Sequence, residues 1–261
     1  MFLPTRARYA LAAKGWGQNA MHRRLQGFRQ RHRGQRIFLV GGGPSLRQQD
    51  LSPLRHEITI AFNTFFNMAD ELGWAPTYHL VEDRFAAEDN AGRLNTLGDS
   101  VPVYAHDLRD CLDVGDQGVW LCFDRYYADY PQSKFPRFAE YASEVIYWGG
   151  TVTYMGLQWA HYLGASEIVL LGVDMSYRTA DAPADSTLIA TDASADHAHP
   201  ADYAAGSRRR PPNLPRMQCA FDEAHRWLGA RGVTLVNATA GGALEGLPRV
   251  PLASFWSDDA R

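Results

Sequence analysis

The stretch best suited to chemistry is a glycine turn within residues 37–46, which reads Ile-Phe-Leu-Val-Gly-Gly-Gly-Pro-Ser-Leu. Its apolar half, 37–40, predicts a buried strand. A glycine run, a proline and a serine follow directly: Gly41, Gly42, Gly43, Pro44 and Ser45. Ser45 is predicted to cap a helix that starts near Leu46. The bare glycines and the helix N-terminus favour a nucleotide phosphate, although a tight turn without a ligand explains the same residues.

The turn differs from two known phosphate-binding motifs. No Gly-Lys-Ser or Gly-Lys-Thr follows the glycines, which excludes a P-loop. Leu46 stands where the dinucleotide-binding fingerprint has its third glycine. The turn therefore indicates an anion site between a strand and a helix without identifying the nucleotide.

Polar residues also follow three other predicted strands, at the sheet edge where parallel sheets bind ligands. They are Asn63, Asp83 and Asp174. Gly150 and Thr151 form a second turn that opens a predicted helix, with Thr151 as its cap. These side chains suit a nucleoside, although Asn and Asp also end strands as ordinary turn formers.

A long loop carries candidate catalytic groups. Imidazoles titrate near pH ~6.5, so His197 or His199 is a candidate general base for a hydroxyl nucleophile. A solvent-exposed pair on a mobile loop is the alternative. Tyr177 is a candidate hydrogen-bond donor to a leaving phosphate. The arginines 208–210 either add charge there or form a solvated basic loop.

The elements that would position these residues alternate between apolar strands and amphipathic helices. The predicted strands are 37–40, 58–62, 78–81, 101–105, 119–123, 145–148, 168–171 and 233–236. The predicted helices between them include 85–97, 151–163 and 214–230. This alternation predicts an α/β fold, with a mostly parallel sheet covered by helices on both faces. We assign 36–261 to one such α/β domain.

Two segments stand apart from this pattern. Residues 1–35 form a basic helical N-terminal arm. Nine Lys and Arg residues lie from Arg6 to Arg36, and all of them precede the first acidic residue of the chain. Its part 21–36 is either a peripheral contact with an anionic membrane or a solvated helix. Residues 176–212 form a long loop, which is either a lid or mobile segment of the site or plain disorder.

Composition narrows the class of protein. The chain has 261 residues and a net charge of −3, which argues against a general nucleic-acid binder. Its three cysteines are scattered and show no disulfide or zinc spacing. No signal-peptide core or membrane-spanning apolar run is present. We expect a cytoplasmic protein, peripheral to the inner membrane if the basic arm binds lipid, and a homo-oligomer is compatible with this composition.

Four motifs together resemble known families. They are Gly-Gly-Gly-Pro-Ser-Leu at 41–46, Phe-Asn at 62–63, the Gly-x-Asp strand end at 164–174, and 237–249. The first three resemble the bacterial sialyltransferases that start with Gly-x-Gly-Pro-Ser-Leu. The last resembles the related MptE-like family, which is named for archaeal 6-hydroxymethylpterin diphosphokinases and also holds many glycosyltransferases of surface polysaccharide synthesis. The resemblance implies a Rossmann-like, GT-A-type fold from about Arg36 to Phe255.

The resemblance also implies roles for individual residues. The CMP part of a donor would be held by Gly41, Gly43, Ser45 and Asn63. Asp83 would contact the nucleoside and Tyr177 the phosphate, and the turn at 150–151 would lie near the sugar. His197 or His199 would act as the base.

Three functions follow as hypotheses. The first is a metal-independent glycosyltransferase that moves a sugar from a nucleotide-linked donor, CMP-linked by preference, to a bacterial surface glycan. The second is a 6-hydroxymethylpterin diphosphokinase that uses ATP and Mg²⁺, with Asp83, Asp174 and Asp196 as candidate metal ligands. The third is a nucleotide-binding module without catalysis.

Overall fold

The structure, a computed structural model, describes residues 4–129, 132–177, 183, 186–190, 197–203 and 205–257. In chain order its strands are β1 (Arg36–Val40), β2 (Ile58–Phe62), β3 (Tyr78–Val81), β4 (Val101–Ala105), β5 (Val119–Leu121), β6 (Phe123–Asp124), β7 (Ile146–Tyr147), β8 (Glu167–Leu171), β9 (Leu188–Ile189), β10 (Arg208–Arg209) and β11 (Thr234–Asn237). Its helices are α1 (Thr5–Ala13), α2 (Ala20–Gly27), α3 (Phe66–Leu72), α4 (Arg84–Asp89), α5 (Ala91–Leu94), α6 (Val152–Leu163) and α7 (Leu214–Gly229).

A seven-stranded parallel sheet with the order β11-β8-β1-β2-β3-β4-β5 forms the centre of the fold. The chain runs outward from β1 to β5 and then returns to β8, on the other side of β1. The strand order therefore reverses between β1 and β8, and the carboxyl ends of these two strands open a crevice there. This single Rossmann-like sheet confirms the predicted fold class.

Both faces of the sheet are covered by helices. Alternate side chains of each strand point to opposite faces and therefore pack in two different clusters. Ile37 and Leu39 join the apolar cluster of α6 and α7. Phe38 and Val40 instead join the cluster on the face of α3. Each such fully buried side chain contributes roughly 1.5–3 kcal/mol. The near-continuous apolar runs that predicted the strands reflect this two-sided burial.

Several predicted elements are wrong in extent. The predicted helix 85–97 is two short helices, α4 and α5, which separate at Asn90. The Asn90 amide donates to the Ala86 carbonyl at 2.9 Å and competes with the helical hydrogen bonds there. The predicted strand 119–123 breaks after β5, and its end pairs as β6 with β7 in a separate small parallel sheet. The predicted strand 145–148 also lies in that small sheet, as β7. The sequence did not indicate this pairing, because an apolar run does not encode its pairing partner.

The N-terminal segment packs onto the domain. Leu25 and Phe28 are buried in the main core, and the Tyr9 hydroxyl donates to the Trp120 carbonyl at 2.7 Å. The arginines of 21–36 that precede β1 stay exposed: Arg23, Arg24, Arg29, Arg31 and Arg33. Membrane contact through this surface remains a prediction, and sedimentation with anionic vesicles tests it. Among the helices of the described residues, none combines the length and apolar character that crossing a membrane requires.

Candidate functional site

A cleft of about 760 Å³ opens at the crevice between β1 and β8 and extends over the carboxyl ends of β2 and β3. Most predicted site residues line it: Gly41, Gly42, Gly43, Asn63, Asp83, Gly150, Thr151, Asp174, Tyr177 and His197. Pro44, Ser45 and His199 are not part of this lining. The topology thus brings together residues as far apart in the sequence as Gly41 and His197.

Glycine is required in this turn because its backbone lies in close contact with the loop after β8. A Cβ on Gly41 or Gly43 would collide with the Gly172 carbonyl, and one on Gly43 would also collide with the Asp174 carboxylate. The turn is tied to that loop by hydrogen bonds from Gly41 N–H to Leu171 and from Gly43 N–H to Gly172, at 2.8 and 2.9 Å. The glycines therefore fix the junction of β1 and β8.

The predicted cap at Ser45 is wrong. A five-residue 3-10 helix, Pro44–Gln48, follows the turn, with Gly43 at its N-cap and no side-chain cap. Proline is favoured at the first helical position, which moves the cap back to Gly43. Ser45 is buried, and its hydroxyl and N–H donate to the Asp174 carboxylate at 2.7 and 3.3 Å. Ser45 acts as a tie between β1 and β8.

The hydrogen bonds between the glycine turn and the loop after β8 leave few N–H groups of the turn for an anion. The N–H groups of Gly41, Gly43 and Ser45 bond within the protein, and proline has none, so Gly42 alone keeps an N–H without a protein acceptor among the described residues. Burial raises the pKa of the neighbouring Asp174 carboxyl, while its bonds from Ser45 act in the opposite direction. The positive groups that an anion needs must therefore come largely from the opposite wall of the cleft.

Asn63 ends β2 in an unusual conformation. Its φ is 50°, in the left-handed region that non-glycine residues rarely adopt. Its N–H donates to the Leu80 carbonyl at 3.0 Å, and its carbonyl accepts a hydrogen bond from His79 Nε2 at 2.7 Å. Its side-chain Oδ1 is buried and has no partner among the described residues. Asn63 thus lines the cleft and carries a buried acceptor that no described residue satisfies.

His79 makes stability depend on pH. It is fully buried in β3, and burial lowers its pKa to about 4. The unfolded chain, with a pKa near ~6.5, therefore takes up a proton first as the pH falls, and stability is lost between about pH 6.5 and 4. Between pH 7 and 5 we expect wild type to lose about 2 kcal/mol more unfolding free energy than His79→Gln. Urea unfolding at both pH values measures this difference, and equal losses would contradict it.

The end of β3 carries a partly buried ion pair that sequence reasoning missed. Arg125 Nη1 lies 2.6 Å from Glu82 Oε2, and Arg125 Nε lies 3.2 Å from Asp107 Oδ2. Burial raises the pKa of Glu82, and Arg125 opposes this effect. The adjacent Asp83 caps α4 by accepting from Ala86 N–H at 2.8 Å. This wall is rich in acceptor oxygens and suits hydroxyl or amino groups of a ligand.

The opposite wall is electropositive. It contains the N-terminus of the twelve-residue α6, where Thr151 accepts from Thr153 N–H at 3.3 Å, as its predicted cap role requires. Arg216 lies in the first turn of α7, with its guanidinium 4.8 Å from the Phe135 ring centroid and 5.1 Å from that of Trp148. It has no carboxylate partner among the described residues. Sequence reasoning missed Arg216, although a cation in a first turn opposes the helix dipole and could have drawn attention to it.

The arginine run 208–210 divides between two environments. Arg208 is committed to Glu88 and Asp89, with contacts of 2.9 and 2.6 Å. Arg209 and Arg210 line the cleft, and Arg210 lies 5.6 Å from the Phe85 ring centroid. Within 176–212, residues 176–177, 197–198, 202 and 209–212 line the cleft, and β9 pairs antiparallel with β10. The lid role of this segment stays a prediction.

The two loop histidines occupy different places. His197 lines the cleft, and its Nδ1 lies 3.2 Å from where a Cβ of Gly42 would be. The Ala198 N–H next to it donates to the Gly42 carbonyl at 2.8 Å, which fixes this part of the loop on the glycine turn. His199 instead lies 3.7 Å from the exposed Glu71 carboxylate. The geometry therefore selects His197 as the candidate base.

The carboxylates considered for Mg²⁺ are only partly placed together. Asp83 and Asp174 both line the cleft, whereas Asp196 lies outside the described residues. Within the described ranges, no group of three or more His, Cys, Asp or Glu side chains is arranged to hold a metal ion.

The fold and its cleft define a Rossmann-like α/β protein whose site lies at the carboxyl ends of parallel strands. The family described as 6-hydroxymethylpterin diphosphokinase MptE-like matches residues 16–180, and the chain belongs to this family. The match begins inside the segment 1–35 and ends before α7, so it includes the glycine turn but not Arg216.

One solved structure adds support for the fold. The MAf glycosyltransferase from Magnetospirillum magneticum AMB-1 aligns with a TM-score of 0.51 and 16% identity over 89% of this chain. The aligned part is 38% of that chain, so the present chain spans well under half the length of that protein. At this identity the likeness shows the fold alone. Comparison with curated proteins gives no match.

Proposed function

We propose that this protein is a glycosyltransferase that takes a sugar from a nucleotide-linked donor, CMP-linked by preference, and transfers it to a hydroxyl of a bacterial surface glycan. One observation carries the proposal: the glycine turn, Asn63, Tyr177 and His197 line a single cleft large enough for a nucleotide and a sugar. The family and the name of the structural neighbour agree with a transferase.

The charges of the two walls orient the donor. The nucleoside lies toward Asn63 and Asp83, whose oxygens accept from amino and hydroxyl groups. The phosphate lies toward the N-terminus of α6, with Tyr177 and Arg216 as further donors. This direction keeps the phosphate away from the Asp174 carboxylate. Stabilisation of the departing phosphate by these groups requires no metal ion.

His197 completes the reaction as general base. His197 lines the cleft beside Gly42, and the N–H of the next residue, Ala198, donates to the Gly42 carbonyl. A neutral imidazole there takes the proton of the acceptor hydroxyl as that oxygen attacks the anomeric carbon. The bond from the anomeric carbon to the phosphate oxygen breaks, and the nucleotide leaves.

The diphosphokinase function remains the second candidate, because the family is named for it and two carboxylates line the cleft. Asp83 and Asp174 would hold Mg²⁺, which would neutralise the phosphates of ATP during transfer to a pterin hydroxymethyl group. The Ser45 bonds to Asp174 compete with such a role, since they occupy both of its oxygens.

A nucleotide screen separates these functions. We expect isothermal titration to show CMP binding with a dissociation constant that changes less than about twofold between Mg²⁺ and EDTA, because Arg216 and the α6 N-terminus supply the positive charge. ATP binding only with Mg²⁺ would replace the proposal by the diphosphokinase. Nucleotide binding without turnover, unchanged by His197→Ala and His199→Ala, would indicate a non-catalytic module.

A further inference from the structure

We infer that His79 is a positioning residue that holds Asn63 in the conformation needed for nucleotide binding. This inference rests on the proposed function and adds to it a residue outside the cleft. His79 is the polar residue within β3, whose sequence Tyr-His-Leu-Val is otherwise apolar or aromatic. A polar side chain buried inside a sheet indicates a specific role, because burying a polar group costs free energy that an apolar residue would not cost.

The hydrogen bond of His79 defines its protonation. The Asn63 carbonyl can only accept, so His79 Nε2, at 2.7 Å, carries the proton. The other ring nitrogen, Nδ1, is buried and has no hydrogen-bond partner among the described residues. The ring is stacked on Phe66, with an interplanar angle of 22°. His79 is therefore a neutral donor whose one hydrogen bond goes to the main chain of Asn63.

Asn63 needs this support because its conformation is strained. At φ 50° an asparagine persists only where its surroundings fix it. Leu80 fixes the peptide before Asn63, and His79 fixes the peptide after it. Both partners are neighbouring residues of β3, so one strand sets the whole turn. Without the His79 donor, the part-buried Asn63 carbonyl would lose its hydrogen bond and the turn would relax.

The turn is important for ligand binding because it sets the position of the Asn63 side-chain amide. The side chain belongs to the cleft lining, and its Oδ1 is buried without a protein partner. A buried acceptor of this kind is satisfied by a ligand that brings an N–H or O–H group, such as a nucleobase amine or a ribose hydroxyl. His79 thus acts on the ligand through Asn63.

The test compares CMP affinity and melting temperature in variants of the full chain. In His79→Phe we expect the dissociation constant for CMP to rise at least tenfold. In His79→Gln, whose Nε2–H reaches the same carbonyl, we expect it to stay within threefold of wild type. His79→Asn, whose amide is too short, should behave like His79→Phe and replaces it if the phenylalanine variant does not fold. His22→Phe, at a buried histidine of α2 outside the cleft, is the matched control and should keep wild-type affinity.

Asn63→Gly shows whether His79 acts through Asn63. Glycine adopts the left-handed turn without strain, so this variant should keep its melting temperature while losing CMP affinity tenfold. Adding His79→Phe to it should reduce affinity less than twofold further. If the fold losses in CMP affinity of the two single variants multiply in the double variant, the positioning role is overturned. Wild-type CMP affinity in His79→Phe would overturn it too, and either result leaves the proposed function intact. Failure of the wild-type protein to bind any nucleotide would overturn both.

Discussion

Gly43→Ala is expected to destabilise the protein by about 3 kcal/mol and to abolish nucleotide binding. The backbone at Gly43, with φ −70° and ψ 150°, suits any residue, so the requirement for glycine is steric. A Cβ there would collide with the Asp174 carboxylate and would lie 2.6 Å from the Gly172 carbonyl oxygen. The collision separates β1 from β8 and disrupts the crevice between them. Urea unfolding and CMP titration measure the two effects.

Gly42→Ala is the matched control within the same turn. The nearest atom to its added Cβ would be His197 Nδ1 at 3.2 Å, a contact that requires a shift of only a few tenths of an ångström. We expect its unfolding free energy to stay within about 0.5 kcal/mol of wild type. Equal stability of the two alanine variants would contradict the close junction of β1 and β8.

The second large effect is expected at His197. His197→Ala should lower the turnover number about 10²–10⁴-fold, because the acceptor hydroxyl loses its base, while the donor dissociation constant changes little. Release of the nucleotide from the donor that binds best provides the assay.

His199→Ala is the control for this prediction, since His199 faces Glu71 outside the cleft lining. Its turnover should remain within a few-fold of wild type. The reverse pattern, with His199 essential and His197 dispensable, would assign the base to the other histidine and require the loop to move in the complex.

The sheet was predictable because its strands are covered on both faces. Runs such as 37–40 and 168–171 are apolar at every position, and both became central strands within one residue of the prediction. The edge was harder to predict. Phe123 belongs to an apolar run, yet with Asp124 it leaves the main sheet, since pairing with 146–147 depends on a contact between distant segments.

The site was predictable in its position and less so in its detail. Asn63, Asp83 and Asp174 were found because ligands lie at the carboxyl ends of parallel strands. The bond between Ser45 and Asp174 joins residues 129 positions apart, and no local pattern indicates it. The support of Asn63 by His79 was missed for the same reason. Arg125 and Arg216 were missed because they come from elements beside the sheet.

Crystals of the protein soaked with CMP test the central claim most directly. We expect the phosphate in the cleft between Gly42 and the N-terminus of α6, with the cytidine beside Asn63 and Asp83. Nucleotide density elsewhere on the molecule, or an empty cleft at millimolar CMP in crystals that leave it open to solvent, would contradict nucleotide binding at this site.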